Sequence, residues 1–323
     1  IEVTLLGQTV NHYRYSHGLA VDADGREQPQ VGPGLAAFRA PIPAGQKVTT
    51  FAQLLARIHE EVPALQRLRF VTSYPRDFGD DILDVMAACP RICRYIHAPA
   101  QSGSNRILKA MNRGYTREEY LEFIDRVVAK LPDCTIAGDI IVGFPTETDA
   151  EFEETVSLLR AVPFKNNFIF KYSPRPGTVA IDRFEDDIPD EVKRLRNNLL
   201  LDIQTEVSRT VHASWVGRTV PVLVEEIRDH DAARARDEAS PDSALSLVSA
   251  HPSSKNVEIR WNRRQATSRH GLQAIGRTPG DLIVAINLPP DAPSSQNAQA
   301  LVGTVVGVEL TAAAPLLMQG KMV

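Results

Sequence analysis

Asp139 is the residue of this sequence with the clearest chemical meaning, because it is a carboxylate set inside the apolar run IAGDIIVGF at 136–144. An unpaired carboxylate is costly to bury, so it requires a partner: a ligand hydroxyl or a structural hydrogen bond. The same run leads into GFPTET, where Glu147 either faces a ligand or places favourable charge near a helix N-terminus. In YSPRPGT two prolines stiffen a turn around Arg175 and fix a cation there, to anchor a substrate or to bridge two loops. The segment HAPAQSGSNRILKAMNRGY at 97–115 gives a strand end, a polar Gly-containing turn and a helix start, followed by Arg106, Lys109 and Arg113. Backbone N–H groups at such a start, with cations nearby, suit a carboxylate or phosphate. His97 reads as a strand residue rather than a catalyst. Cys89 and Cys93 in CPRIC mimic the opening of a C-x3-C-x2-C cluster motif, but position 96 is Ile and the third ligand is missing. These two and Cys134 read as structural thiols.

Such residues act together only if the backbone carries them to one place. Five apolar runs, at 3–6, 68–72, 95–98, 136–144 and 168–172, each stop at Gln, Ser, Thr, Asn or Gly-Pro. Between them lie helical faces: Leu54, Leu55, Ile58 and Val62; Ile82, Leu83 and Met86; Tyr120, Phe123, Ile124, Val127 and Leu131. Thr116 with Glu119, and Thr148 with Glu151, form capping boxes at two helix starts. Repeated strand and helix predict an α/β chain with a parallel sheet whose strand ends share one rim, as in a (β/α) barrel. Closing that barrel needs a strand before the first of the five.

Residues 189–215 read as one linking helix, with Val192, Leu195, Leu199, Ile203, Val207 and Val211 along one side. From 216 to 323 the pattern becomes short alternating strands, at 220–225, 257–261, 282–286 and 302–310, which predict a small antiparallel β-barrel. Residues 229–256, rich in Asp, Ala, Ser and Pro, are expected to be a disordered insertion. The stretch 255–277 gathers Arg260, Arg263, Arg264, Arg269 and Arg277 around Trp261 with Glu258 as its acid, a surface suited to a phosphate backbone or simply a solvated basic face.

Bulk properties narrow the class. Of 323 residues 43% are hydrophobic, and no apolar run approaches the ~20 residues of a membrane helix, so no membrane partner is expected. A net charge of −4 argues against nucleic-acid binding over the whole surface and leaves room for a local basic patch. Three cysteines are too few for a disulfide scaffold, which points to a reducing cytoplasm. Ile1 opens directly into a strand, and the chain is expected to be a C-terminal portion of something longer.

Six strings in order and at the right spacing resemble the MiaB-type methylthiotransferase branch of the radical S-adenosylmethionine (SAM) enzymes. They are EVTLLGQTVNHY, RFVTSYP, YIHAPAQSGSNRILKAMNRGYTREEYL, DIIVGFPTETDAEFEET, FIFKYSPRPGT and LVGTVVGVELTAAAPLLMQGKMV. The resemblance implies a partial radical-SAM (β/α) barrel over 1–188, lacking its first strand and cluster loop, followed by a TRAM-like barrel that holds tRNA. It implies SAM and two 4Fe-4S clusters as cofactors, the cluster cysteines being absent from this chain, and an electron donor such as flavodoxin or ferredoxin. The implied reaction is radical conversion of N6-isopentenyladenosine at position 37 of tRNA to its 2-methylthio derivative, by a monomer. Sister activities, on threonylcarbamoyladenosine or a ribosomal protein, and a noncatalytic tRNA-binding fragment are the alternatives. By motif, Gln101, Ser102, Asp139 and Arg113 correspond to SAM-binding positions, and Gln8, Asn11, Glu147 and Arg175 to the substrate or reacting-centre region. Thr146 stands where the family usually has Gly, and Thr9 where it has Asn. Without its missing ligands the chain is expected to be inactive alone.

Overall fold

Parallel strands buried on both faces need near-continuous apolar sequence, and helices must cover them. The computed structural model, which describes residues 1–18, 21–22, 24–26, 42–229, 271–288 and 298–323, follows that logic. Its first strands are β1 (Glu2–Leu5), β2 (Arg14–Ser16), β3 (Val48–Thr50), β4 (Arg67–Phe70), β5 (Tyr95–His97), β6 (Thr135–Val142) and β7 (Phe164–Lys171). β1 pairs in parallel with β4, and β5, β6 and β7 form a parallel three-stranded sheet. Backbone hydrogen bonds from Cys93 N to Leu68 O (2.8 Å) and from Ser73 N to His97 O (3.0 Å) connect the two groups. The parallel strands therefore run in the spatial order 1-4-5-6-7, an open arc with all C-terminal ends on one rim. β2 and β3 form a separate antiparallel pair of three residues each, too short to stand out in the sequence.

The helices are α1 (Phe51–Glu61), α2 (Asp80–Ala88), α3 (Asn105–Ala110), α4 (Arg117–Lys130), α5 (Asp149–Ala161), α6 (Val179–Arg183) and α7 (Asp190–Ala213). Reciprocal capping boxes open α4 at Thr116/Glu119 and α5 at Thr148/Glu151, as the sequence predicts, and a third opens α1 at Thr50/Gln53. One apolar core joins Leu55, Leu83, Met86, Phe123 and Leu159 to Leu68, Ile96, Ile140 and Phe164.

α7 differs from expectation. Ile203 and Val207 pack on the core as expected, but Leu195 and Leu199 are exposed, and the buried residues include Lys193, Arg196, Leu200, Gln204, Ser208 and His212. The elements facing it explain why, since they offer polar groups that apolar side chains would leave unpaired. Gln204 receives Asn167 Nδ2 at 2.7 Å, Ser208 Oγ donates to Lys165 O at 2.7 Å, and Lys193 Nζ meets Asp186 at 2.5 Å.

A closed five-stranded barrel follows: β8 (Thr219–Asp229), β9 (Leu272–Arg277), β10 (Ile283–Asn287), β11 (Val305–Ala313) and β12 (Met318–Met322), in the order β10-β12-β11-β8-β9. The expected antiparallel pairing holds for β8 with β9, β9 with β10 and β8 with β11, whereas β10 and β12 run parallel where the ring closes. Val222, Val224, Val284, Ile286, Val308, Leu310 and Met318 fill its interior. Two compact units result. One comprises Ile1–Val216 with Pro279–Leu282 and Ala313–Leu317; the other comprises Gly217–Thr278, Ile283–Ala312 and Met318–Val323. Of the expected insertion at 229–256 only Asp229 is described; the expected strand at 257–261 and Arg260, Arg263, Arg264 and Arg269 lie outside the described residues. Among the described residues no helix is long and apolar enough to cross a membrane.

Candidate functional site

At the rim, three turns that follow β4, β5 and β6 each contain a non-glycine residue in left-handed backbone: Thr72 (φ 67°), Gln101 (φ 69°) and Thr146 (φ 68°). Such conformations cost roughly 1–3 kcal/mol and persist only where surroundings enforce them. Gln101 shows how. Its N–H donates to Asp139 O at 2.8 Å and its carbonyl accepts from Ile141 N at 2.9 Å, so it extends the pairing of β6 one step beyond the end of β5.

Asp139 lies on β6 opposite Phe168 of β7. Its Oδ1 is 3.2 Å from His97 Nε2, and the His97 ring stands edge-on to Phe168 with centroids 6.3 Å apart. His97, Asp139 and Phe168 therefore share one face of the sheet, with Phe168 and, by strand alternation, Phe170 half exposed beside the carboxylate. The sequence requires a partner for Asp139 without naming it; His97 supplies one while the carboxylate stays 24% exposed. Tyr115 sits close by, donating its hydroxyl to Pro99 O at 2.9 Å and Ala100 O at 3.3 Å. Burial raises the Tyr115 phenol, against the pull of Arg113 and with a smaller push from Tyr74 and Asp139. Arg113 itself is half-buried, and its Nε has no hydrogen-bond partner in the structure. Carboxylate, glutamine and cation together suit a ligand carrying hydroxyls and a carboxylate.

The remaining sequence candidates divide between interior and rim. Ser102 is buried; its Oγ lies 3.3 Å from Thr155 Oγ1 and accepts from Ser104 N at 3.2 Å, which shapes the turn after Gln101. Asn11 is also buried, and its amide is used twice by one backbone unit, donating to Tyr74 O at 2.9 Å and accepting from Tyr74 N at 2.7 Å. Glu147 turns inward: its Oε2 accepts from Gly143 N and from Arg196 Nη1, both at 2.8 Å. Burial raises its carboxyl, against the pull of Gly143 N–H and Arg196. Gln8 and Arg175 are exposed on the loops after β1 and β7. The structure thus joins Gln101 to Asp139 through the backbone, with Arg113 two residues before Tyr115, while Asn11, Ser102 and Glu147 face the scaffold. His97, Tyr74 and Arg196 carry partners the sequence signals did not disclose, because each works through contacts of distant elements.

Burial also raises the thiols of Cys89, Cys93 and Cys134. Among the described residues no group of three His, Cys, Asp or Glu is placed to hold a metal ion. A groove of about 590 Å³ lies outside this rim site, between α3, α4 and α5, where Arg106 and Arg117 face Glu118, Glu151 and Glu154.

Residues 45–159 match the family model of the radical SAM superfamily. The tRNA-2-methylthio-N(6)-dimethylallyladenosine synthase of Rhodopirellula baltica is 36% identical over 304 residues, 91% of this chain and 57% of that protein. The protein of the same name from Parabacteroides distasonis is 42% identical over 224 residues, 69% of this chain and 43% of its own length. The chain thus spans about half the length of the curated relatives it matches. Among solved structures, coproporphyrinogen III oxidase from Escherichia coli, described as a radical SAM enzyme, aligns with a TM-score of 0.41 and 17% identity, over 48% of this chain and 37% of that one.

Proposed function

We propose, for a chain that belongs to the radical SAM superfamily in the branch of the methylthiotransferases, that its first unit holds SAM and its small barrel is a TRAM-like holder of tRNA. The observation that carries this reading is the junction of β5 and β6. There the Asp139 carboxylate stands beside Gln101, whose backbone is bonded to Asp139 O, and Arg113 lies near with an unpartnered buried Nε. SAM fits that set. Asp139 accepts hydrogen bonds from ribose hydroxyls, Gln101 supports them from the rim, and Arg113 meets the amino-acid carboxylate by a charge-assisted bond. Ser102 keeps the turn in shape through Thr155 and Ser104.

SAM held there would supply the methyl group and, given an electron from a reduced 4Fe-4S cluster, the hydrogen-abstracting radical for sulfur insertion at C2 of an adenine. The described residues offer no ligand set for a 4Fe-4S cluster, so this chain's own residues would hold SAM without cleaving it. The substrate we assign is N6-isopentenyladenosine at position 37 of tRNA, in line with the names of the relatives, with Gln8 and Arg175 facing it from the rim and a flavodoxin or ferredoxin as electron source in the cytoplasm.

Calorimetric titration of the chain with SAM tests the site. Binding that weakens about tenfold in Asp139→Asn is expected for a lost hydroxyl acceptor; no binding by the unaltered chain overturns the assignment. Nucleoside mass spectrometry of a deletion strain tests the substrate, since unchanged 2-methylthio-isopentenyladenosine would exclude it.

A further inference from the structure

We propose that Tyr74, with Asn11 behind it, is a positioning residue that sets Arg113 toward a ligand carboxylate; the proposal rests on the reading of Arg113 as the partner of the SAM carboxylate. The backbone at Arg113 is fixed from both sides. On its N-terminal side α3 ends in a Schellman turn: Asn112 takes a left-handed conformation (φ 58°) and donates its N–H to Lys109 O at 3.0 Å, while Arg113 N donates to Leu108 O at 2.8 Å. On its C-terminal side Gly114 is clamped to the loop after β4. Gly114 N donates to Tyr74 Oη at 2.7 Å, and Gly114 O accepts from Arg76 Nη1. A side chain at 114 would press on this clamp, since a Cβ there would lie 3.0 Å from Tyr74 Oη and 3.2 Å from Arg76 Nη1.

Tyr74 is itself held. Asn11 bonds both its backbone N–H and its carbonyl, and the Tyr74 ring packs edge-on against Tyr115 (5.4 Å) and His12 (5.5 Å). A line of contacts therefore runs from the loop after β1, through the loop after β4, to the residue that follows Arg113. Reaching no ligand itself, Asn11 acts through Tyr74. The arrangement removes backbone freedom beside a long cationic side chain, and a cation ordered in advance loses less entropy on meeting its anion.

Titration calorimetry with SAM and with adenosine, which lacks the carboxylate, separates positioning from general support. Arg113→Gln is expected to weaken SAM about tenfold and leave adenosine unchanged, and Tyr74→Phe to weaken SAM about three- to fivefold, again sparing adenosine. The double variant should bind SAM no more weakly than Arg113→Gln alone, because both changes act on one interaction. Equal loss of both ligands in Tyr74→Phe, or losses that multiply in the double variant, overturns the proposal. If Arg113→Gln changes nothing, the carboxylate reading falls and the proposal with it, while Asp139 is untouched. An unaltered chain that binds neither ligand overturns the site as a whole. Should Tyr74→Phe fail to fold by circular dichroism, Gly114→Ala presses on the same clamp from the other side. The same selective loss is then expected, and an unselective one overturns the idea.

Discussion

Thr146 shows how one residue can keep a turn that its type opposes. It adopts φ 68°, a conformation that costs an L-residue roughly 1–2 kcal/mol. Three contacts offset that cost: Thr146 N donates to Asp187 Oδ1 at 2.7 Å, and Arg106 donates to Thr146 O at 2.6 Å and to its Oγ1 at 3.0 Å. Thr146→Gly relieves the strain and loses only the hydroxyl contact, so it should change stability by less than about 1 kcal/mol. Thr146→Val keeps the strain and loses the contact, and should cost about 1–2 kcal/mol in urea denaturation. The same Arg106 grips Glu151 with two nitrogens at 2.5 and 2.7 Å. That guanidinium is the main reason the Glu151 carboxyl falls from 4.5 to about 2, helped by the Thr148 N–H and hydroxyl against the opposing effect of burial. A carboxyl lowered on folding stabilises the fold above its ordinary value, and the contribution fades as pH falls toward about 2. Arg106→Gln should lose about 1 kcal/mol at pH 7, since Arg106 is half exposed and its pairing is screened, and should show a flatter stability profile between pH 4.5 and 2.

Elements were legible in the sequence wherever one rule decided them. β6 and the capping boxes of α4 and α5 depend on local residues, and they stand where apolar run and box predict. β7 begins at Phe164, four residues before the expected 168, because Lys165 and Asn167 look like loop residues until their partners are known. Asp281 receives Lys165 Nζ at 2.5 Å, and Gln204 receives Asn167, contacts spanning 116 and 37 positions. α7 departs for the same reason: Ile203 and Val207 pack on the core as the periodicity predicts, but Leu195 and Leu199 do not. The parallel closure of β10 on β12 is a property of the ring and leaves no mark on either strand. At the site, Asp139 declared itself as a misfit carboxylate, whereas the inward use of Asn11 and Glu147 depended on distant backbone. Element geometry makes its own prediction at Gly138, which neighbours Asp139. A Cβ there would stand 2.5 Å from Asn167 Oδ1 and 3.1 Å from Ala98 O, atoms belonging to β7 and the end of β5. Gly138→Ala crowds these atoms and should destabilise the chain by about 1–3 kcal/mol in chemical denaturation, with weaker SAM binding than Thr146→Gly shows.

At the scale of the whole molecule the two proposed tasks fall on different units, and charge gives a way to test the second. The chain carries a net charge of −4, so a polyanion must be held by a local concentration of cations rather than by the overall field. The sequence supplies one such concentration, Arg260, Arg263, Arg264 and Arg269; Arg277, on β9, is already paired with Glu225 at 3.1 Å. If those four arginines meet phosphates, each releases a counterion on binding, and together they contribute about 3 to the slope of log affinity against log salt. Changing all four to Ser should weaken tRNA binding at low salt and reduce that slope by about 3, with calorimetric SAM binding unchanged. A solvated basic face predicts something different: affinity falls slightly through the long-range field, and the slope stays where it was. An unchanged slope in filter binding across several salt concentrations would therefore remove these arginines from the tRNA contact and leave the closed barrel without its proposed polyanion.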